Sequence, residues 1–174
     1  PTFNRAGMLP VAIDSALNQT KACEVIVVDH GSTDDTPKVA EAYGDRILYI
    51  RRERDFGPHF CWLEGALHAT GEFVHLQYDD DWIAPTFIEA CLAVITPETG
   101  FAFTGADVMD GPGLPTKLRQ FTDWLPATGT YPVDALERQI LGSLISPGAA
   151  LYRRQILIDA LYPLFFRDQR PAQV

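Results

Sequence analysis

The sequence lacks a hydrophobic run long enough to cross a membrane. Its longest apolar stretches, such as residues 25–28, fall far short of the roughly 20 residues that a spanning helix needs. Basic charge is also scarce, because 14 lysines and arginines stand against 23 aspartates and glutamates, for a formal net charge of −9. An acidic chain repels the phosphate backbone, which excludes a general nucleic-acid binder, although a bound metal could still recruit a phosphate locally.

Cysteine is scarce as well. Cys23, Cys61 and Cys91 are far apart and match no metal-ligand spacing. Their odd number argues against a disulfide framework and predicts a reducing compartment. We therefore predict a cytoplasmic protein, with peripheral contact at the inner face of a membrane as an open alternative. Neither an initiator methionine nor a charged leader precedes Pro1, and the expectation is a segment truncated at both ends.

What is present is typical of one globular domain. The 174 residues suffice for a sizeable core, and the 47% hydrophobic and 21% charged residues are ordinary. Short apolar runs predict strands at residues 24–29, 46–50, 72–78, 101–108 and 148–153. Helical spacing predicts helices at residues 7–18, 34–43, 58–69, 85–95, 133–144 and 154–161. This alternation predicts an α/β fold with a mainly parallel sheet flanked by helices.

Residues 110–132 differ in character from the rest of the chain. They are rich in glycine, proline, threonine and aspartate, and they show no sustained hydrophobic period. Such a composition predicts a long loop or flap.

Three consecutive aspartates, Asp79, Asp80 and Asp81, follow the predicted strand 72–78. Adjacent carboxylates repel one another and raise their own pKa values, a cost that Mg²⁺ or Mn²⁺ relieves. Ligands of open α/β sheets bind at the carboxyl ends of the strands, so this position predicts a metal site. A solvated acidic turn is the alternative, since runs of charge usually lie on the surface.

A second polar cluster, Asp29-His30-Gly31-Ser32, follows the predicted strand 24–29. Because parallel strands end at the same edge of a sheet, we expect both clusters to face one crevice. The stretch is also a good turn and helix-capping sequence, and it can be that alone. His30 is unusual there, since a hydrophobic or a second acidic residue would serve capping equally well.

Several motifs occur in a characteristic order. They are Pro1-Thr2-Phe3-Asn4-Arg5, Ser15-Ala16-Leu17-Asn18-Gln19-Thr20, residues 24–29, Gly31-Ser32-Thr33-Asp34, Gly71-Glu72-Phe73, and Asp79-Asp80-Asp81-Trp82 followed by Pro85. In this combination the sequence resembles the family 2 inverting glycosyltransferases, nucleotide-diphospho-sugar transferases with the GT-A fold. The resemblance covers residues 1–103, and the ordered combination is far more specific than any one motif.

The resemblance implies a hexosyltransferase-type enzyme that moves a sugar from a nucleotide-diphosphate donor, with inversion, to an unknown carbohydrate, lipid or protein acceptor. Mg²⁺ or Mn²⁺ would bridge the two donor phosphates and neutralise the leaving diphosphate. Residues 1–174 would form one GT-A domain, with residues 1–108 as the nucleotide-sugar-binding half and residues 109–174 as a partial acceptor-side half.

The resemblance also assigns residues by position. Asp80 would be the main metal carboxylate and Asp81 a further ligand or its support. The nucleotide-sugar site would be formed by Pro1, Phe3, Asp29, His30, Gly57, Trp62 and Asp79, with the first four at the base and Asp79 at the ribose.

The sequence departs from the family at three places. The family usually has a second acidic residue at position 30, where it contacts the base, so His30 predicts weaker selectivity for uridine. An Arg-Asn pair common before Gly65 is replaced by Trp62-Leu63. No Glu-Asp pair supplies the acceptor-side base, and Asp168 is a weak catalytic candidate with an ordinary surface aspartate as the alternative.

The family also has a hydrophobic strand before its Pro-Thr-Phe-Asn turn, so the chain as given is expected to expose a sheet edge. Asp107 and Asp110 are the other acids of the second half that could lie on the acceptor side. We expect the 174 residues alone to bind donor but to transfer sugar poorly.

Three other functions compete. A sugar-1-phosphate nucleotidyltransferase shares the architecture, but residues 4–8 match its glycine-rich phosphate loop poorly. A phosphatase with an aspartate nucleophile would carry a threonine or valine where Asp81-Trp82 stands. A degenerate, non-catalytic domain that binds nucleotide-sugar is favoured by the departures and opposed by the intact aspartates.

Overall fold

The structure is a computed structural model, and it describes residues 1–111, 114–141 and 146–168. The α-helices are α1 (Leu9–Leu17), α2 (Thr36–Glu41), α3 (Pro58–His68), α4 (Phe87–Leu92), α5 (Glu137–Leu141) and α6 (Arg154–Asp168). The strands are β1 (Ile26–Asp29), β2 (Leu48–Arg51), β3 (Phe73–His75), β4 (Phe101–Phe103), β5 (Ala106–Met109), β6 (Pro115–Gln120) and β7 (Ala150–Arg153). Short 3₁₀ turns lie at Gly44–Arg46, Val133–Leu136 and Pro147–Ala149.

The alternation of strands and helices is as predicted, and local sequence explains it. In β1, a β-branched run leaves Val27, Val28 and Asp29 buried, as expected for a strand covered on both faces. The first turns of α1, α2 and α3 each contain a proline, which is tolerated there because that N–H has no partner within the helix.

The sheet is built from separate ladders. β1 pairs with β2 in parallel, with Ile26 opposite Leu48 and Asp29 opposite Arg51. β7 lies between β3 and β4 and is antiparallel to both, so that β3 and β4 run in the same direction. The parallel arrangement expected from the alternating units is therefore present at β1–β2, and β7 interrupts it between β3 and β4.

Residues 101–120 differ from the prediction. The predicted strand 101–108 divides at Thr104 and Gly105 into β4 and β5, and β5 pairs with β6 as an antiparallel hairpin. The loop predicted at residues 110–132 was wrong over β6. Because five of the six β6 residues are exposed, the strand shows no alternation of apolar and polar residues that could reveal it.

Helix α3 lies against the sheet and carries much of the packing. Its buried Leu63 and Ala66 pack with Leu76, which follows β3, and with Leu157 and Leu161 of α6. A fully buried leucine contributes about 2 kcal/mol through the area that it removes from water. This packing holds α3 beside the residues that follow β1 and β3.

An apolar cleft of about 480 Å³ lies between β1 and β3, with Ile26 and Val28 on one wall and Phe73 on the other. The Val25 carbonyl accepts from the Leu48 N–H, and the Asp29 carbonyl accepts from the Arg52 N–H, so the main-chain groups of the odd-numbered residues face β2. Those of the even-numbered Ile26 and Val28 point the other way, into the cleft. Among the described residues, Thr2 alone bridges β1 on that side.

None of the helices in the described ranges is both long and apolar enough to cross a bilayer.

Candidate nucleotide-sugar site

The residues after β1 and those after β3 are connected by the first six residues of the chain. The Thr2 N–H donates to the Val28 carbonyl (2.9 Å), and the His30 N–H donates to the Thr2 carbonyl (3.1 Å). Arg5 then reaches the other cluster, with its Nε 4.0 Å from Asp79 Oδ1. The two predicted clusters thus lie on opposite sides of one short segment.

That segment is held against the loop before α2. Asn4 adopts a positive φ of 54°, and its side-chain Oδ1 accepts from the Thr33 N–H at 2.8 Å. The Asn4 N–H donates to Ser32 Oγ, and the Arg5 N–H donates to the fully buried Thr36 Oγ1, both at 2.9 Å. Sequence reasoning missed this set of contacts, because the partners are about 30 residues apart and follow no periodic pattern.

Asp29 is fully buried, and both of its carboxylate oxygens are engaged within the protein. Oδ1 accepts from the Ser32 N–H at 2.8 Å, and Oδ2 accepts from the Tyr49 hydroxyl at 2.6 Å. Burial and the neighbouring carboxylate raise the pKa of Tyr49, so its hydroxyl keeps its proton and remains a donor. Asp29 therefore shapes the turn after β1, and its predicted contact with a base stays a prediction.

His30 is buried beside Asp29 and faces a residue that sequence reasoning missed. Its side chain is 5% exposed, and its Nδ1 lies 2.6 Å from Asp55 Oδ1. The same carboxylate oxygen accepts from the Gly57 N–H at 2.7 Å. Gly57 has a φ of +84° and precedes α3, so the turn that starts this helix also places Asp55 against His30.

The three aspartates form a turn directly after the strand region. The Asp81 N–H donates to the Tyr78 carbonyl at 3.3 Å, and Gln77 Nε2 donates to the Asp81 carbonyl at 2.8 Å. Desolvation, followed by the charges of Asp80 and Asp79, raises the pKa of Asp81. The mutual repulsion expected from the sequence therefore acts at Asp81.

These aspartates fit a divalent cation that binds together with a substrate. Within the described ranges, no three His, Cys, Asp or Glu side chains converge as a metal-binding group. Mg²⁺ bound with a nucleotide usually takes only one or two carboxylates plus phosphate oxygens, and Asp80 with Asp81 can supply that number. The raised pKa of Asp81 is the cost that such a cation would relieve.

The remaining predicted residues lie around the same edge. Pro1 is half-buried and lines the cleft between β1 and β3. Phe3 is 46% exposed. Trp62 belongs to α3 and packs against Tyr78, with the two ring centroids 5.9 Å apart, and its buried Nε1 has no partner in the described part of the chain.

A basic segment that begins at the last residue of β2 was also missed. Arg51 Nη2 donates to the Ser32 carbonyl at 2.9 Å, and Arg52 forms an ion pair with the buried Glu64 of α3. Both arginines hold the loops around His30. The run of basic residues within an otherwise acidic chain is the sequence feature that could have revealed this segment.

Asp107 and Asp110, two of the three acids considered for the acceptor side, lie on the β5–β6 hairpin. Asp107 forms an ion pair with Arg119 across the β5–β6 hairpin at 2.9 Å, and Asp110 is exposed beside the hairpin turn. The side chain of Asp168 lies outside the described residues. None of these observations assigns a base.

The sequence profile of "Glycosyl transferase family 2" matches residues 1–161. An uncharacterized glycosyltransferase of Rickettsia prowazekii is 50% identical over 90 residues, which are 51% of this chain and 28% of that protein. The chain spans less than a third of the length of the first curated relatives it matches.

Two solved structures share the fold. The mannosyltransferase PcManGT of Pyrobaculum calidifontis, in complex with GDP-Man and Mn²⁺, superposes with a TM-score of 0.61 at 22% identity, over 92% of this chain and 44% of that one. S. aureus TarS 1–349, in complex with UDP-GlcNAc, gives 0.56 at 23% identity over 92% and 45%. These likenesses confirm the GT-A fold predicted from the sequence.

Proposed function

The chain belongs to glycosyl transferase family 2, and from that premise we propose that it binds a nucleotide-diphospho-sugar with a divalent cation and transfers the sugar, with inversion, to an acceptor. The observation that carries this proposal is the pair of polar strand ends joined by residues 1–6, with His30 on one side and Asp79–Asp81 on the other. The transferase class, EC 2.4, follows from the family; donor, metal and stereochemistry are the proposal.

The nucleoside is assigned to the β1 side of the site. His30, Pro1 and Phe3 would surround the base, and the Gly57 turn would close that pocket from α3. Asp79, near Arg5, would approach the ribose. The two structural neighbours hold a uridine and a guanosine diphosphate sugar, which supports this class of donor.

The diphosphate is assigned to the β3 side. Asp80 and Asp81 would hold Mg²⁺ or Mn²⁺, which when bound neutralises the charge that develops on the leaving diphosphate. The main chain of this turn is held by the Asp81 N–H, which donates to the Tyr78 carbonyl, and by Gln77 Nε2, which donates to the Asp81 carbonyl. Arg5 would add positive charge near the donor, since its guanidinium is 46% exposed beside Asp79.

Inversion requires a base that takes the acceptor proton from the face opposite the diphosphate. Asp79, Asp80 and Asp81 are committed to the leaving-group side, so they are excluded from that role. We therefore place the base outside the two strand-end clusters. The acceptor and the activity of the whole protein belong to the same proposal.

The experiment is nucleoside-diphosphate binding measured by calorimetry with Mn²⁺ and with a chelator. We expect Mn²⁺ to strengthen UDP or GDP binding, and Asp80→Ala to remove that gain, at least about tenfold in affinity, because a metal–phosphate contact is lost.

Asp110→Ala is the matched control, since it removes an exposed carboxylate at the hairpin. It should bind like the unaltered chain. Unchanged Mn²⁺-dependent affinity in Asp80→Ala, with both variants folded by circular dichroism, would contradict the assignment. Donor binding without any transfer by the full-length protein would favour the non-catalytic alternative.

A further inference from the structure

The residues just before β7 lie directly against the turn that carries the three aspartates. A Cβ on Gly148 would lie 2.7 Å from Tyr78 Cδ2, which is closer than real Cβ atoms come to another atom. The same Cβ would lie 3.6 Å from Asp81 Oδ2, an ordinary van der Waals contact. The Tyr78 ring is therefore seated on the main chain of Gly148, with the Asp81 carboxylate beside it.

Tyr78 is also held on its other sides. Trp62 of α3 packs edge-on against the Tyr78 ring, with the centroids 5.9 Å apart and an angle of 65° between the planes. The Ser146 side chain lies beside the Tyr78 hydroxyl, and Ser146 Oγ accepts from the Gly148 N–H at 3.3 Å. Because edge-to-face rings attract one another, Tyr78 is wedged between α3 and the 3₁₀ turn Pro147–Ala149.

The main chain of the aspartate turn is connected to β7 by a second route. Gln77 Nε2 donates to the Tyr78 and Asp81 carbonyls at 3.2 and 2.8 Å. Gln77 Oε1 lies 3.0 Å from His75 Nε2, and His75 Nδ1 donates to the Ala150 carbonyl at 2.9 Å. The segment before and at the start of β7 thus contacts the turn both through the Tyr78 ring and through hydrogen bonds to its main chain.

The two carboxylates assigned to the cation have little else to hold them. Within the described ranges, neither Asp80 nor Asp81 forms a side-chain hydrogen bond or an ion pair. Their directions therefore depend on the main chain of the turn and on what the turn packs against. Of these contacts, the Tyr78 ring on Gly148 leaves the least room for movement, since it is already at the limit of close packing.

We propose that Tyr78 is a positioning residue for the divalent cation: seated on Gly148, its ring keeps the Asp80–Asp81 turn in the arrangement that binds the metal together with the donor diphosphate. This inference rests on the proposed function, because it assigns a role around the same cation. Mg²⁺ demands a nearly ideal octahedral shell, so a small displacement of a carboxylate weakens its binding. The role of Gly148 is then to leave space for the ring.

The test measures how much Mn²⁺, relative to a chelator, strengthens the binding of UDP or GDP. Gly148→Ala should reduce this Mn²⁺-dependent gain at least about fivefold, because the added methyl group displaces the Tyr78 ring and with it the turn. Tyr78→Ala should reduce the gain to a similar extent. Tyr78→Phe keeps the ring in place and should retain the gain within about twofold.

The two substitutions should not be additive. In Tyr78→Ala the methyl group of Gly148→Ala has no ring to displace, so the double variant should lose no more of the Mn²⁺-dependent gain than Tyr78→Ala alone. Losses that multiply in the double variant would show that the two residues act independently, which contradicts the proposal.

Tyr43→Ala and Gly100→Ala are the matched controls. Tyr43 is a half-buried tyrosine that packs on the core beside Leu9 and Ile13, away from the aspartates. A Cβ on Gly100 would meet only Ile156 Cδ1 within 4 Å, at 3.5 Å. Tyr43→Ala should lower the thermal stability, and both controls should keep the full Mn²⁺-dependent gain, which separates positioning of the cation from a loss of packing.

Circular dichroism establishes which variants are folded, and if Gly148→Ala fails to fold, the pair Tyr78→Ala and Tyr78→Phe decides the question. A full Mn²⁺-dependent gain in folded Tyr78→Ala would overturn this inference and leave the proposed function intact. Absence of any gain in the unaltered chain would contradict the cation of the proposed function, and with it the role of Tyr78.

Discussion

At the scale of single residues, the negative charge of Asp81 lowers the stability of the folded state. Asp81 is exposed as a residue, yet desolvation and the charges of Asp80 and Asp79 raise the pKa of its carboxyl group. A raised pKa in the folded state means that ionised Asp81 opposes folding. The penalty is fully present above the raised pKa and disappears as the pH falls through it.

Asp81→Asn should therefore stabilise the metal-free protein at pH 7. We expect a gain below about 1 kcal/mol in the free energy of unfolding, since exposed charges interact weakly across water. The gain should shrink as the pH falls and Asp81 of the unaltered chain takes up its proton. Saturating Mn²⁺ should make the unaltered chain the more stable of the two, because the Asp81 carboxylate binds the cation better than the asparagine amide does.

Thermal unfolding in a chelator at pH 7 and pH 4, and with Mn²⁺ at pH 7, measures all three effects. Asp110→Asn serves as the control, since Asp110 is exposed at the hairpin. If Asp81→Asn were less stable than the unaltered chain in the chelator at pH 7, the proposed repulsion among the three aspartates would be contradicted.

Single residues also show what sequence could not reveal. Asp80 and Asp81 were found as candidates because three carboxylates after a strand form a local pattern. Asp55 was missed, because its partner His30 is 25 residues away and only the fold brings them together. Asp29 was recognised by its motif, yet its engagement with Tyr49 and Ser32 depends on contacts that the motif does not contain.

At the scale of elements, the turn between β1 and α2 sets the position of His30. Gly31 has a φ of +79°, a conformation that other residues rarely adopt. A Cβ at this position would lie 2.8 Å from the Glu53 carbonyl oxygen, closer than real contacts allow. The turn thus passes directly against the loop that carries Asp55.

Gly31→Ala should destabilise the protein by about 2–4 kcal/mol, through backbone strain and the clash with main-chain atoms that have little room to move. Gly7→Ala is the control, because a Cβ at Gly7 meets no atom within 4 Å and its φ lies outside the left-handed region. It should be close to neutral.

Chemical denaturation of both variants measures the difference. A Gly31→Ala loss no larger than that of Gly7→Ala would show that the turn tolerates a side chain. The comparison also tests the site, since strain relieved by moving the turn should weaken the His30–Asp55 contact and nucleotide binding together.

Elements were predicted best where their burial is one-sided or complete. The helices α1 and α3 and the strand β1 have buried faces that impose periodic patterns on the sequence, and they were found close to their bounds. The exposed strand β6 imposes no such pattern. The position of β7 between β3 and β4 likewise depends on pairing between strands far apart in the chain, which the local periodicity of the sequence does not reveal.

At the scale of the whole molecule, the residues of the proposed site are distributed unequally over the described part of the chain. The proposed nucleotide side rests on contacts within residues 1–81, whereas the β5–β6 hairpin and the described segment after it supply no assigned group. The division into residues 1–108 and 109–174 stays a prediction. The chain covers 28–31% of the first curated relatives, so the acceptor is a property to be measured on full-length protein.

Because one edge of β1 faces β2 and the other faces the cleft, its amide hydrogens should exchange with solvent at two different rates. The pairing register places the N–H groups of Val27 and Asp29 toward β2, whereas the N–H of Val28 points into the cleft. In deuterium exchange, Val27 should therefore retain its hydrogen far longer than Val28, although both side chains are at most 5% exposed. Equal retention would mean that the two edges of β1 are equally protected. In a longer form of the protein, a strand that enters the cleft would slow exchange at Val28 and leave Val27 unchanged, so this one amide reports whether the sheet is continuous.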